Sequence, residues 1–142
     1  MPTIVNIAKT LDTLNEIRTG NYKEGLKTGI PELDKHFRFK RQFSVILGHS
    51  NVGKTQTMLY LMFLYYVKHK IKWLIFSSEN QSYSIYKKLI EFNTSLPLNK
   101  IPESTLQTQL IKISQYFKII DSSELYTYKG LLAEAQRIRE KY

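Results

Sequence analysis

The chain has 142 residues and a mass of 16.7 kDa, which suits one compact domain with its own hydrophobic core. A hydrophobic content of 42% excludes a disordered polypeptide, and the absence of cysteine excludes disulfides and thiolate metal sites. The formal charge of +9 suits a polyanionic partner, but it fits a plain solvated surface equally well. Two short basic clusters, residues 35–41 and 68–72, do not by themselves indicate nucleic-acid binding.

The sequence predicts neither a signal peptide nor a membrane-spanning helix. The first residues lack the uninterrupted apolar core of a signal peptide. The most apolar stretch, Met58–Val67, is half the length that a membrane-spanning helix needs. The sequence therefore predicts a soluble, cytoplasmic protein with no membrane partner.

The N-terminal segment predicts an amphipathic helix. Its apolar residues recur at helical spacing and are Ile4, Ile7, Leu11, Leu14 and Ile17. Gly20 supplies a stop, so residues 1–20 form one segment and residues 21–142 form the domain that follows. Such a stripe packs on its own domain or on a partner, and the pattern leaves both open.

The rest of the chain alternates between predicted strands and helices. The predicted strands are 43–47, 72–77 and 116–121, and the predicted helices are 31–37, 54–70, 82–92, 103–115 and 127–142. Strands that alternate with helices indicate an α/β fold, in which a parallel sheet is covered by helices on both faces.

One glycine-rich motif carries chemistry. The pattern G-x-x-x-x-G-K-[ST] is matched by Gly48, His49, Ser50, Asn51, Val52, Gly53, Lys54 and Thr55, and Gln56 completes the expected nucleotide-binding residues. The glycines let backbone N–H groups curl around a phosphate at the positive end of the next helix. Lys54 is expected to reach the β- and γ-phosphates, and the Thr55 hydroxyl to ligate Mg²⁺. The motif predicts ATP and Mg²⁺ as cofactors.

A single carboxylate stands in a catalytic position. Glu79 follows the predicted strand 72–77, and in a parallel sheet ligands bind where the strands end. A carboxylate there can orient and deprotonate the water that attacks the γ-phosphate, with Lys54 as the second catalytic group. The alternative is a solvated loop glutamate.

Several segments resemble a known family. Thr28–Asp34 resembles the segment that leads into RecA-like ATPase cores, and Phe76–Asn80 resembles the second-strand motif of DnaB-like replicative helicases, whose glutamate is the catalytic base. Residues 117–121 and 127–142 are similar to the strand and helix that precede the Walker B strand, so the resemblance covers about residues 25–142. It implies a three-layer RecA-like P-loop core, preceded by the amphipathic helix.

The resemblance also implies a function. DnaB-like proteins are hexameric, ATP-driven motors on single-stranded DNA, with the nucleotide between subunits and a preceding helix packed on the neighbour. Ile4–Ile17 occupies the place of that helix. We therefore expect a homo-oligomer in a bacterial or phage-infected cell.

The sequence departs from the family in three places. Phe37–Arg41 stands where the family carries glycines, and Lys87 and Lys88 stand where it places an arginine. Asp121 ends an apolar run and is a candidate Walker B residue, but the family pattern places that strand later. We therefore expect a chain truncated before Walker B, which holds an incomplete core, binds nucleotide weakly and hydrolyses it poorly.

Three other functions stay open. A recombination or repair ATPase of the RecA or RadA type would share the same motifs. A nucleotide-binding adaptor without turnover would explain a missing Walker B carboxylate. A small P-loop kinase would need an arginine-rich lid, and none is evident in the sequence.

Overall fold

The computed structural model describes residues 5–22, 24–40, 42–120 and 127–141. Its helices are α1 (Ile7–Arg18), α2 (Pro31–Asp34), α3 (Lys54–His69), α4 (Ser82–Thr94), α5 (Glu103–Ser114) and α6 (Tyr128–Lys141), and its strands are β1 (Trp73–Phe76) and β2 (Phe117–Ile120). The chain divides into two compact units, Met1–Ser44 and Val45–Tyr142. No helix in the described ranges is long and apolar enough to cross a membrane.

In the first unit, α1 is the expected amphipathic helix. The Asn6 side chain accepts a hydrogen bond of 3.1 Å from the Lys9 N–H and caps the first turn. None of the helix residues is buried, and Leu11, Leu14 and Ile17 are each more than half exposed. The apolar stripe is therefore left uncovered by the described part of its own unit.

A buried carboxylate organises the turn between residues 28 and 34. Asp34 Oδ1 accepts hydrogen bonds from the Thr28 N–H at 2.6 Å and the Thr28 hydroxyl at 2.7 Å, and Oδ2 accepts one from the Gly29 N–H at 3.1 Å. Both Thr28 and Asp34 are buried, so these bonds satisfy the carboxylate away from water. These hydrogen bonds therefore hold the two ends of the Thr28–Asp34 segment together within the first unit.

The short helix that begins at Pro31 is shorter than the sequence predicted. It starts at Pro31, as expected for a first-turn proline, but ends at Asp34 rather than Phe37. The chain is already extended at Phe39, which forms an antiparallel bridge with Leu26. Gly25 permits this close approach, because its φ is +114° and a Cβ there would lie 2.8 Å from the Phe39 carbonyl oxygen.

The second unit contains a parallel pair of strands and the main hydrophobic core. Strand β1 pairs with β2 in parallel, with Trp73 opposite Phe117 and Phe76 opposite Ile120. The buried side chains come from α3, α4, α5, both strands and the segment before α5, and include Leu59, Phe63, Tyr66, Ile75, Ile85, Leu89, Ile90, Ile101, Ile113 and Phe117. The four longer helices predicted in this unit are confirmed to within two residues at each described end.

One predicted strand is wrong. Residues 43–47 have no regular structure, and all five are exposed, with Phe43 at 92% and Leu47 at 88%. A buried strand needs a hydrogen-bonded neighbour and cover on both faces, and the described sheet contains only β1 and β2. The predicted mixture of helices and strands and the parallel strand pairing are therefore confirmed, but the described sheet has two strands.

Candidate functional site

The glycine-rich loop leads directly into the N-terminus of α3. Gly53 stands at the position before the helix with φ +84°, and Asn51 has φ +61°, so both adopt the left-handed region. Glycine adopts that region without strain, and asparagine is among the residues that tolerate it best. No side chain of the described residues caps α3, so its first N–H groups are open to an anion.

The Lys54 side chain folds back across the loop. Its Nζ donates hydrogen bonds to the carbonyl oxygens of Gly48 at 2.8 Å and His49 at 2.6 Å. Gly48 makes room for this path, because a Cβ there would lie 3.3 Å from both Lys54 Cδ and Val52 Cγ2. The loop therefore holds the ammonium group within the curve where the motif predicts a phosphate.

A cleft of about 570 Å³ opens beside this loop. The loop and α3 line it with Ser50, Asn51, Gly53, Lys54, Thr55 and Gln56, the turn after β1 with Glu79 and Asn80, and α4 with Ser84 and Lys88. The structure thus brings Lys54, Thr55, Gln56 and Glu79 to one space. Gly48, His49 and Val52 do not line the cleft, although the Gly48 and His49 carbonyl oxygens accept hydrogen bonds from Lys54.

The turn after β1 presents the carboxylate. Asn80 donates two hydrogen bonds to the Ser77 hydroxyl oxygen, from its backbone N–H at 3.0 Å and its side-chain amide at 3.3 Å. Glu79 lies between Ser77 and Asn80 in this turn, and it is exposed to solvent on the wall of the cleft. The Glu79 side chain is therefore accessible to a water molecule in the cleft that Lys54 also lines.

Helix α4 supplies a second cation, which is one of the two lysines that the sequence places after Glu79 without deciding between them. Lys88 lines the cleft and is half-buried, while Lys87 points away and is exposed. Ser84 lies one turn before Lys88 on the same face of the helix. The spacing of four residues was visible in the sequence, but only the packing of α4 decides which face meets the cleft.

The residues fit a Mg²⁺ ion held mainly by phosphate and water. No group of three or more His, Cys, Asp or Glu side chains able to hold a metal occurs among the described residues. Mg²⁺ in nucleotide sites needs no such cage, since it keeps several waters and binds substrate phosphates with one or two protein oxygens. Thr55 offers a hydroxyl in the cleft, and the candidate Walker B residue Asp121 lies outside the described residues.

The fold and the cleft define a class: an α/β domain in which a glycine-rich loop and the end of a parallel strand share one polar cleft. The family model for the DnaB-like helicase C-terminal domain matches residues 25–142. The chain therefore belongs to the DnaB-like helicase C-terminal domain family, whose members are RecA-like ATPase domains. No solved structure matches the chain.

Proposed function

We propose that this chain is the ATP-binding part of a DnaB-like replicative helicase, which hydrolyses ATP to move along single-stranded DNA. One observation carries the proposal: Lys54, Thr55 and Glu79 line a single cleft at the N-terminus of α3, in a chain of this family. Cation, hydroxyl and carboxylate are the groups that phosphate transfer to water requires. The complete domain would have the three-layer RecA-like fold.

The loop and the lysine bind the nucleotide. The open N–H groups of α3 and of the loop backbone, from Gly48 to Gln56, donate hydrogen bonds to the phosphate oxygens. Lys54 exchanges its contacts with the loop carbonyls for the β- and γ-phosphates, and so neutralises negative charge where it accumulates. Thr55 would offer its hydroxyl to Mg²⁺, which would stabilise the charge on the phosphates when bound.

Glu79 acts as the general base. Its exposed carboxylate accepts a proton from the attacking water, and the Ser77–Asn80 hydrogen bonds hold the turn that orients it. Asn80 stands next to it on the same wall and offers an amide to the water or to a phosphate oxygen.

Assembly completes the site. We propose that the exposed apolar stripe of α1 packs on a neighbouring copy of the chain, in a hexamer that works in the cytoplasm of a bacterial or phage-infected cell. Leu11, Leu14 and Ile17 follow each other at helical spacing and are all exposed in their own unit. An uncovered stripe of this kind supports a helix-on-protein contact.

Two substitutions test the proposal by separating binding from hydrolysis. Lys54→Ala should weaken Mg-ATP binding about 10- to 100-fold, the loss expected for charged hydrogen bonds. Glu79→Gln keeps the shape and should retain binding, while hydrolysis stimulated by single-stranded DNA falls about 100-fold or more. The measurements are titration with a fluorescent ATP analogue and phosphate release.

Glu103→Gln is the matched control, because Glu103 is an exposed carboxylate on α5 that does not line the cleft. It should leave both binding and hydrolysis at the wild-type level. Unchanged Mg-ATP binding in Lys54→Ala would contradict the assignment of the cleft.

A nucleotide-binding adaptor without turnover is the second candidate. The observation that favours it is that Glu79 is the one carboxylate among the described residues that line the cleft. The adaptor predicts Mg-ATP binding without phosphate release, whether or not single-stranded DNA is present. Stimulated phosphate release by this chain would exclude it.

A further inference from the structure

The lysine that α4 brings to the nucleotide cleft is paired with a carboxylate outside that cleft. Lys88 lines the cleft, and its Nζ lies 3.6 Å from Oε2 of Glu91, three residues later on the same helix. Glu91 is not among the described residues that line the cleft. The Lys88 ammonium group therefore has a counter-charge of its own before any phosphate arrives.

The Glu91 carboxylate is held in place from its other side. Its Oε1 accepts a hydrogen bond of 3.1 Å from the Leu98 N–H, in the connection between α4 and α5. The Glu91 side chain is 19% exposed, whereas the Lys88 side chain is 42% exposed. A carboxylate with a backbone donor keeps its charge in one place, and a lysine has a flexible four-carbon stem. Lys88 is therefore the partner that is able to move.

The two lysines of the cleft differ in what they give up to a phosphate. Lys54 Nζ donates to the carbonyl oxygens of Gly48 and His49, which are neutral groups. Lys88 is paired instead with the full negative charge of Glu91. A phosphate that attracts Lys88 must therefore compete with a carboxylate for it, which is a stronger competitor than a carbonyl oxygen.

We propose that Glu91 is a positioning residue of the nucleotide site, which holds Lys88 back while the cleft is empty and releases it when a triphosphate binds. The inference rests on the proposed function, since it takes the cleft to be the ATP site. On binding, the Lys88 ammonium group moves to a phosphate oxygen, and the Glu91 carboxylate keeps its bond to the Leu98 N–H. Glu91 thus lowers the affinity for nucleotide and links the cleft to the α4–α5 connection.

An ordinary surface ion pair is the alternative. Exposed pairs at this spacing on a helix contribute little to stability and have no effect on a ligand. Glu91 differs from such a pair, because most of its side chain is covered and its second oxygen has a backbone donor. The ordinary pair predicts no change in nucleotide affinity when the charge of Glu91 is removed, whereas the proposal predicts a gain.

Glu91→Gln tests the proposal, because it removes the charge and keeps an oxygen that can accept the Leu98 N–H. We expect this variant to bind Mg-ATP about threefold more tightly than the wild type, the effect of losing one partly screened competing charge. In the Lys88→Ala background most of the gain should disappear, because the lysine that Glu91 holds is gone. Titration with a fluorescent ATP analogue measures all four proteins.

Glu103→Gln is the control for net charge, because Glu103 is exposed on α5 and does not line the cleft. It should bind Mg-ATP as the wild type does, and far-ultraviolet circular dichroism checks that each variant is folded. The proposal would be overturned by the absence of a gain in Glu91→Gln, by an equal gain in Glu103→Gln, or by a gain that persists in full without Lys88.

Hydrogen exchange of the wild-type chain gives a second measurement that needs no variant. Once Lys88 leaves, the Glu91 carboxylate is no longer shared, so its hydrogen bond with the Leu98 N–H becomes stronger. Mg-ATP should therefore slow exchange at Leu98 more than at Lys100, whose N–H donates to the Pro97 carbonyl oxygen at 2.9 Å in the same turn. Equal slowing at both amides would reflect general stabilisation by the ligand and would contradict the proposal.

Failure of this inference can be told apart from failure of the proposed function. If Lys54→Ala leaves Mg-ATP binding unchanged, the cleft is not the ATP site and both are wrong. If Lys54→Ala weakens binding but Glu91→Gln binds as the wild type does, the cleft remains the ATP site and Glu91 has no role in it.

Discussion

At the scale of single residues, two cations on α4 have different surroundings. Lys88 lines the nucleotide cleft and its Nζ lies 3.6 Å from Glu91 Oε2, whereas Lys87 is exposed on another side of the helix. Adjacent residues on a helix point about 100° apart, so the two lysines have different surroundings. The choice between them was open in the sequence.

This difference predicts unequal effects on nucleotide binding. Lys88→Ala should weaken Mg-ATP binding about fivefold, the factor for ~1 kcal/mol of lost attraction to the phosphates. Lys88→Arg should keep most of the affinity, because it retains the charge and adds a forked donor. Fluorescent-nucleotide titration measures both.

Lys87→Ala is the matched control and should bind Mg-ATP as the wild type does. Equal losses in the Lys87 and Lys88 variants would mean that the effect comes from net charge and that Lys88 has no local role in the cleft.

At the scale of elements, one hydrogen bond ties α4 to the sheet. The Tyr86 hydroxyl donates to the Phe117 carbonyl oxygen at 2.9 Å, across thirty-one positions of sequence. Burial raises the pKa of Tyr86 above its ordinary value of 10.0, because the phenolate form is poorly solvated there. Helix α4 also supplies core residues, so this bond fixes the helix whose other face lines the cleft.

The raised pKa predicts a loss of stability at alkaline pH. The folded state holds the proton more tightly than the unfolded state, so the contribution of Tyr86 is complete below pH ~10 and is lost as the pH rises through the folded-state pKa. Tyr86→Phe should cost ~1 kcal/mol at neutral pH and should flatten this alkaline decline. Urea unfolding at neutral and at alkaline pH measures both effects.

Burial also raises the pKa of Tyr66, with a further contribution from Tyr116, so part of the decline should persist in Tyr86→Phe. Tyr83→Phe is the control on the same helix, because Tyr83 is 73% exposed. It should unfold like the wild type at neutral pH. A Tyr86→Phe variant as stable as Tyr83→Phe would contradict the role of the hydrogen bond.

At the scale of the whole molecule, positive charge dominates. The chain carries 21 Lys and Arg against 12 Asp and Glu, and two of the lysines, Lys54 and Lys88, line the nucleotide cleft. Charge of this kind raises the affinity for any polyanion through the release of counterions. The excess positive charge therefore indicates a polyanionic partner, but it gives no information about the fold.

The excess charge predicts salt-dependent binding of single-stranded DNA. The logarithm of the affinity for an oligothymidylate should fall linearly with the logarithm of the salt concentration, by about 0.7 for each phosphate contacted. Fluorescence anisotropy measures the slope. An oligonucleotide with an uncharged backbone is the control and should bind weakly at every salt concentration. An affinity for the oligothymidylate that does not change with the salt concentration would contradict the prediction.

The predicted and observed folds agree where the determinants are local. The helices from Lys54 onward were predicted because apolar periodicity and end signals lie within each segment. Residues 43–47 were predicted as a buried strand from composition, but they are exposed and unpaired with β1 or β2. A strand depends on neighbours that are distant in sequence, so its residues alone could not settle this.

The sequence by itself determined the family and the residues of the phosphate loop. The spacing of Gly48, Gly53, Lys54 and Thr55 is a local pattern, in which the glycines let the backbone N–H groups curl around a phosphate. Only the tertiary structure decided what shares space with that loop. It brought Glu79 and Lys88 to the cleft and left Lys87 outside. The physical reason is that a helix or strand fixes which face its residues share, while packing fixes what that face meets.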